Sequence, residues 1–387
     1  MGTETWNRTD VVTDIGLSDR PDLRHLSVVA DGPDDFVVGN GARFINVPEI
    51  AATIVRMLDG NCSILEATVR IHNDRGTDVE VQQFVRALDG QGLLTPAPGG
   101  GTLAWLPPRV AGLAFNPVVY ALVLAVYTSA AVGVLTHRIA LPGFKAVLWS
   151  QSPTLSELSF AATAVLLLLF HEISHVVAAR SLGVSAHLSL STRMWFLVAQ
   201  TRVTGIWGVE RSRRYRAHLA GMGWDSLTTS IALLATMFAG PGLRSFLDMV
   251  VLITAAQIAW EFMFFMKTDI YYALANFLRC KNLMADATNF LRIRLHDHTR
   301  SAATPRKIRW YAYFIVLGRL GAVGFLWGYT LPLDWVVAHR GLTLVATGRF
   351  PSVADGVTSL ALLGTSWVVF GVVFLRRRLH RGAEGRP

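Results

Sequence analysis

The stretch Ala164-Val165-Leu166-Leu167-Leu168-Leu169-Phe170-His171-Glu172-Ile173-Ser174-His175 places three ionisable side chains directly after a run of apolar ones. Ionisable residues are costly inside a membrane and by default mark a functional site there. The spacing of four puts His171 and His175 on one face of a helix, where both imidazoles can bind one zinc ion. We therefore predict zinc as the cofactor, with these two histidines as ligands. The alternative is a pair of helix histidines that make structural hydrogen bonds only.

Glu172 follows the first histidine directly and lies one step round the helix. Zinc lowers the pKa of a water molecule towards about 7, and a neighbouring carboxylate then accepts its proton. We predict Glu172 as the catalytic base of a zinc metalloendopeptidase.

The composition indicates a membrane protein with a soluble N-terminal part. Of the 387 residues, 52% are hydrophobic and 16% are charged, whereas soluble domains carry about 25% charged residues. The net charge is +9, and its lysines and arginines lie mainly between apolar runs. This pattern favours the positive-inside rule over nucleic-acid binding, so no nucleic-acid partner is expected. Cys62 and Cys280 are too far apart in the sequence to form a metal-type pair, and a disulfide framework is not expected.

Six apolar segments follow the N-terminal hundred residues, each long enough for the roughly 20 residues that span a bilayer. The third is the weakest because Asp225 interrupts it. Residues 186–209 are only moderately apolar and are left open as a membrane-dipping loop or hairpin. The predicted fold is mainly α, a polytopic membrane helix bundle of about six transmembrane helices. The predicted spans lie near 113–135, 158–179, 217–239, 246–270, 311–331 and 357–375.

Basic residues are concentrated in alternate connections: between spans two and three, between spans four and five, and after span six. The positive-inside rule then places both termini in the cytoplasm. We predict a multi-pass protein of the cell (cytoplasmic) membrane.

The N-terminal part predicts a small winged-helix α+β domain over residues 31–95, after a flexible segment at 1–30. A β-hairpin is expected over Phe36–Val47, because Gly39-Asn40-Gly41 supplies turn residues between two β-type runs. Three short helices follow, of which the second begins at the capping pair Ser63 and Glu66. Gly92-Leu93-Leu94 is expected to form a final strand. The Pro- and Gly-rich residues 96–110 are predicted as a linker to a membrane domain at 111–380.

A catalytic zinc usually has three protein ligands and an open position. The intramembrane acids that could supply the third are Asp225, Glu261 and Asp269. His171 precedes Arg180 by nine residues and Asp269 precedes Arg279 by ten, so both lie roughly 14 Å inside the basic boundary. Asp225 fits the same depth, and Glu261 is expected to lie deeper.

The H-E-x-x-H pattern, with an Asp in a later aromatic-rich span, resembles the site-2 proteases, a family of intramembrane zinc metalloproteases. The matching stretch is Lys267-Thr268-Asp269-Ile270-Tyr271-Tyr272, with Ile270 where the family usually has Gly. A similar Thr-Asp-x-Tyr run occurs in a branch of peptide zinc metalloproteases, where Asn282, Leu283 and Ala287 also fit. The resemblance implies that Asp269 is the third zinc ligand.

Other residues near these motifs have weaker claims. Ala220-Gly221-Met222 resembles an Ala-Gly-Pro stretch beside the active site of these proteases, but we interpret it as close helix packing. Asp225 is a candidate hydrogen-bond partner of the zinc site. Candidates for stabilising the oxyanion are Asn276, Asn282 and His187, although His187 fits an ordinary loop histidine better.

The N-terminal part resembles a PqqD-like peptide-recognition domain in its hairpin, its Leu58-Asp59-Gly60 turn, its Ser63 cap and its Leu93-Leu94 ending. Such domains bind the leader of a ribosomally made, modified peptide as an added β-strand. The two resemblances together point to the membrane proteases of modified-peptide (RiPP) gene clusters, including the daptide-type enzymes. They imply leader removal, with a precursor peptide, membrane lipid and peptide-modifying enzymes as partners.

Two other functions remain open at the sequence level. A regulatory site-2-type protease would cut a transmembrane signalling protein, and usually carries a periplasmic sensor domain, which we do not recognise here. A non-catalytic membrane protein could recruit or export peptides through its N-terminal domain. This last alternative predicts that no metal is bound.

Overall fold

The computed structural model describes residues 15–32, 35–96, 100–193, 196–280, 282–296 and 305–384. The described residues fall into two compact units. One comprises those within Met1–Gly100 and Thr204–Arg211, and the other those within Gly101–Val203 and Ser212–Pro387.

The first unit contains an antiparallel three-stranded sheet in the order β1-β2-β3. The predicted hairpin is confirmed: β2 ends at Gly39 and pairs there with Phe44 of β3. Its turn forms because Asn40 Oδ1 accepts hydrogen bonds from the amides of Ala42 and Arg43, while Gly41 adopts a φ of 94° that favours glycine. The strands are β1 (Ser27–Ala30), β2 (Asp35–Gly39) and β3 (Phe44–Pro48).

Three helices pack on this sheet: α1 (Glu49–Met57), α2 (Ile64–Arg75) and α3 (Val81–Gly90). The predicted cap of α2 is confirmed, since Ser63 Oγ accepts from Glu66 N and the Glu66 carboxylate accepts from Ser63 N. The apolar faces of all three helices close one buried core.

Two features of this unit differ from the sequence prediction. Residues 1–14 of the predicted flexible segment lie outside the described residues, but from Ile15 onward the chain is folded, and Leu23 and Leu26 are buried in the core. Gly92-Leu93-Leu94 forms no strand. Its carbonyls are bound by side chains instead: Asn40 Nδ2 donates to Gly92 O and His25 Nε2 to Leu93 O.

The second unit is mainly helical. Five of its helices are long and apolar enough to cross a membrane, counted over the described residues: Pro108–Leu135, Pro153–Ser181, Pro241–Glu261, Arg306–Ala346 and Ser352–Val373. The elements are α4 (Pro108–Gly112), α5 (Pro117–Leu135), α6 (Pro153–Ser181), β4 (Ser185–Arg193), β5 (Phe196–Thr204), α7 (Arg211–His218), α8 (Ala220–Ala235), α9 (Pro241–Glu261), α10 (Asp269–Leu278), α11 (Leu283–His296), α12 (Arg306–Phe325), α13 (Leu331–Ala346) and α14 (Ser352–Glu384).

The prediction of about six spans is therefore matched in part, because the third predicted segment forms no single helix of spanning length among the described residues. The segment 217–239 is divided at Leu219, and α8 has only 16 residues, about 24 Å at 1.5 Å per residue. The predicted fourth span also stops early, because α9 ends at Glu261 rather than at 270. The fifth extends further than expected, since a π-helical turn at Leu326–Thr330 joins α12 to α13.

Two segments that the sequence did not assign to a span, residues 186–209 and the predicted linker, are also folded where the structure describes them. Residues 186–209, left open by the sequence, contain a β4-β5 hairpin followed by a short 3-10 turn. Within the predicted linker, Arg180 of α6 donates hydrogen bonds to the carbonyls of Ala104 and Leu106. Residues 97–99 of that linker lie outside the described part of the chain.

Helix α8 lies at the centre of the second unit, where it packs against α5, α6 and α9. Its small residues allow close approach, and Thr229 on α8 hydrogen-bonds Thr254 on α9 through their hydroxyls at 2.7 Å. This packing brings the middle of α6, the start of α8 and the end of α9 together.

The capping box of α2 predicts a local stability effect. Ser63→Ala removes the acceptor for Glu66 N, so α2 should lose about 1 kcal/mol of stability. Hydrogen–deuterium exchange of residues 64–75 in the full-length protein should become several-fold faster. Ser63→Thr keeps a hydroxyl and serves as the control; unchanged exchange in the alanine variant would contradict the assigned cap.

Candidate metal centre

Three side chains from two helices converge in the second unit: His171 and His175 of α6, and Asp269, the first residue of α10. His171 Nε2 lies 3.3 Å from His175 Nε2 and 3.5 Å from Asp269 Oδ2. His175 Nε2 lies 2.9 Å from the same Asp269 oxygen. Both imidazoles are buried, and the Asp269 side chain keeps 17% of its exposure.

The other ring nitrogen of each histidine has a partner that accepts a hydrogen bond. His171 Nδ1 lies 2.8 Å from Asp225 Oδ2, and His175 Nδ1 lies 2.7 Å from the carbonyl oxygen of Ala217. A carbonyl and a carboxylate can only accept, so both Nδ1 atoms carry the proton. In a neutral ring Nε2 then presents a lone pair.

The three converging atoms are therefore all electron-pair donors. Asp269 Oδ2 is buried, and the polar atoms that face it are the two Nε2 atoms. Three such atoms within 3.5 Å of one another repel unless a cation or a shared proton lies between them. Ligands placed tetrahedrally at zinc distances are about 3.3 Å apart, which is close to the spacing here. His171, His175 and Asp269 could thus hold a divalent metal ion.

The hydrogen bond between His171 and Asp225 is also typical of a metal site. Metal-binding histidines usually donate their other N–H to a carboxylate or a carbonyl, which fixes the ring and its tautomer. Asp225 lies on α8, and only 1% of it is exposed. The third acid of the sequence analysis, Glu261, accepts a hydrogen bond from the amide of Asp269.

Ile270 lies in the first turn of α10. Its φ is not positive, since the described non-glycine residues with positive φ are Leu103, His137 and Arg279. The turn therefore does not require a glycine at this position.

Gly221 of α8 lies directly against the two Nε2 atoms. A Cβ at this position would be 2.3 Å from His171 Nε2 and 2.5 Å from His175 Nε2. The sequence interpretation of this glycine as simple helix packing is therefore incomplete. Its hydrogen leaves room for the two nitrogen atoms.

Glu172 is oriented by the β4-β5 hairpin. The amide of Thr201 in β5 donates a 2.6 Å hydrogen bond to Glu172 Oε2, and the Thr201 hydroxyl donates to the Glu172 carbonyl oxygen at 3.0 Å. Sequence reasoning did not identify Thr201, because its contact crosses 29 positions and the hairpin was left open.

The oxyanion candidates are placed differently from one another. Asn276 is buried on α10, two turns after Asp269. Asn282 is exposed just before α11, where its carbonyl accepts from Asp286 N. His187 is exposed on β4. His187 is not one of the three side chains that converge among the described residues.

His218 is a neighbour that the sequence did not identify. It follows Ala217, and its ring stacks on Tyr272 with centroids 5.9 Å apart and an angle of 15° between the planes. Burial lowers the pKa of His218 to about 4. Its ring is therefore neutral near pH 7 and can donate a hydrogen bond without carrying a charge.

Comparisons with protein-family models, with curated proteins and with solved structures find no match to this chain.

The position of Gly221 predicts a sharp effect on metal binding. Gly221→Ala inserts a methyl group where the Nε2 atoms lie, so the purified protein should lose its bound divalent metal. Gly223→Ala is the matched control, because it lies on the same helix and a Cβ there meets nothing within 4 Å. Metal content by inductively coupled plasma mass spectrometry separates the two. Equal metal in both variants would exclude the site.

The bond from His171 to Asp225 predicts a graded effect. Asp225→Ala should weaken divalent-metal affinity by about 10–100-fold, the usual cost of losing such a partner. Asp225→Asn keeps an oxygen acceptor for Nδ1 and should lose less. Competition with a chromophoric chelator measures both, with Asp334→Ala on α13 as a control carboxylate. An alanine variant with unchanged affinity would show that His171 needs no orienting partner.

Proposed function

We propose that the chain is an intramembrane zinc metalloendopeptidase that removes the leader from a ribosomally made, post-translationally modified precursor peptide. The observation that carries this proposal is the convergence of His171 Nε2, His175 Nε2 and Asp269 Oδ2 within 3.5 Å, with Glu172 beside them in the same helix. Two imidazoles and one carboxylate in tetrahedral spacing favour zinc over calcium or magnesium, which prefer all-oxygen sites.

Zinc, when bound, would polarise the peptide carbonyl and lower the pKa of the attacking water. Glu172 would accept the proton of that water and then pass it to the leaving amine. The Thr201 amide donates to Glu172 Oε2 at 2.6 Å and would hold that oxygen during this transfer. Asp225 and the Ala217 carbonyl accept from the two Nδ1 atoms, so both Nε2 lone pairs would stay directed at a bound metal ion.

The membrane location of the reaction is supported by the second unit, which contains the site together with five helices of spanning length. In the proposed arrangement the chain crosses the cell membrane several times, with both termini in the cytoplasm. The basic residues between the apolar segments favour this orientation.

The first unit would supply substrate selection. We interpret its three-stranded sheet and three helices as a winged-helix-type, PqqD-like domain. In the described sheet β3 is an outer strand with one side unpaired by another strand. A leader peptide can add to such an edge as a further strand, with main-chain hydrogen bonds for affinity and alternate side chains for specificity.

The central experiment replaces the base. Glu172→Gln should abolish cleavage of a candidate precursor peptide, measured by mass spectrometry after co-expression, while bound zinc remains. Glu157→Gln is the matched control, because it makes the same change on α6 about 22 Å away and should cleave normally. Asp269→Ala should lose both zinc and activity.

Other outcomes separate the alternatives. Normal cleavage by Glu172→Gln would overturn the proposed chemistry. A purified protein without zinc, unaffected by the same substitution, would indicate a peptide recruitment or export function. Cleavage of a single-span signalling protein but of no precursor peptide would indicate a regulatory protease.

A further inference from the structure

The turn that delivers Asp269 begins at a buried acid. Helix α9 ends at Glu261 and α10 begins at Asp269, with residues 262–268 between them. The side-chain carboxylate and the backbone carbonyl of Glu261 both accept hydrogen bonds from residues at the end of this connection. Its Oε2 accepts from Asp269 N at 2.7 Å, and its backbone carbonyl accepts from the Thr268 hydroxyl at 2.8 Å.

These bonds replace an ordinary helix cap. The first amides of a helix lack intrahelical partners, and a Thr at the N-cap usually accepts from one of them. Thr268 is the N-cap residue of α10, but its side chain makes no capping bond. Its hydroxyl donates to Glu261 instead. The carboxylate of the preceding helix therefore satisfies the first amide of α10, where a negative charge is also favourable.

Glu261 does not itself belong to the metal-ligating group, which in the described residues comprises His171, His175 and Asp269. Only 9% of Glu261 is exposed, and its Oε2 already accepts from an amide. A carboxylate buried in an apolar helix bundle is costly. Glu261 accepts a hydrogen bond from the backbone amide of Asp269. The cost of burying this carboxylate is therefore linked to the position of Asp269.

We infer that Glu261 is the positioning residue for Asp269: by binding the Asp269 amide it fixes the start of α10 so that the Asp269 carboxylate meets both imidazoles. The inference rests on the proposed function in one respect, namely that Asp269 binds a metal ion. Glu261 acts because its side chain is long enough to accept the hydrogen bond from the Asp269 amide, and its charge is secondary.

The test uses three substitutions that separate the length of the Glu261 side chain from its charge. Glu261→Gln keeps the length and an oxygen acceptor but loses the charge. Glu261→Asp keeps the charge but is one methylene shorter and falls short of the amide. Glu261→Ala loses both. Asp248→Ala, thirteen residues earlier on α9, is the matched control for removing a carboxylate from this helix.

The readout is Co²⁺ binding to the metal-stripped full-length protein in detergent, followed by the visible absorption of the Co²⁺ complex, which reports its ligand set. Glu261→Gln and Asp248→Ala should bind Co²⁺ within about threefold of the wild type. Glu261→Asp and Glu261→Ala should bind it about 10–100-fold more weakly, the range for losing a residue that orients a ligand. Their absorption should also show an altered ligand set.

The opposite ranking overturns the inference. If Glu261→Asp binds like the wild type while Glu261→Gln is weak, the charge matters and the hydrogen bond does not. This comparison holds even where the alanine variant fails to fold. If all three variants bind Co²⁺ normally, Glu261 has no role in positioning. A wild-type protein that binds no Co²⁺ would instead overturn the proposed function.

Discussion

Three electron-pair donors that face one another within 3.5 Å are the constraint on which the second unit depends. Imidazole Nε2 atoms can remain in this arrangement as lone pairs only if their protons are held on Nδ1. Asp225 and the Ala217 carbonyl satisfy that condition. Two carboxylates lie directly against the imidazoles, Asp225 on the Nδ1 side of His171 and Asp269 on the Nε2 side of both rings. Burial without such compensation would be strongly unfavourable.

The three acids identified in the sequence have separate positions in the structure. Asp269 faces the Nε2 atoms, Asp225 binds the far side of one imidazole, and Glu261 binds the backbone of Asp269. From the sequence, all three were candidates for one ligand position, and Asp225 was also a candidate hydrogen-bond partner. In the folded chain one acid contacts the imidazoles, the second holds an imidazole and the third holds the first acid. This is possible because α8, α9 and α10 all come close to the middle of α6.

Local chemistry explains what could be predicted. The hairpin at Asn40, the cap at Ser63 and the shared face of His171 and His175 each depend on residues within a few positions of one another. The predictions that failed depended on contacts between residues far apart in the sequence, or on hydropathy averaged over a whole segment. Mean hydropathy over 217–239 did not reveal the break at Leu219, and the fourth span ended early because Glu261 binds the turn that follows it. The strand expected at Leu93 is absent because distant side chains occupy its carbonyls. That Gly221 lies against two histidines depends on helix packing, which no spacing rule encodes.

The close approach of Gly221 also closes one side of the centre. A side chain at this position would place its first carbon 2.3 Å from His171 Nε2 and 2.5 Å from His175 Nε2. If the chain hydrolyses peptides as proposed, its substrate must reach the donor atoms from a side other than that of α8. The direction of approach is then limited by a residue that has no side chain.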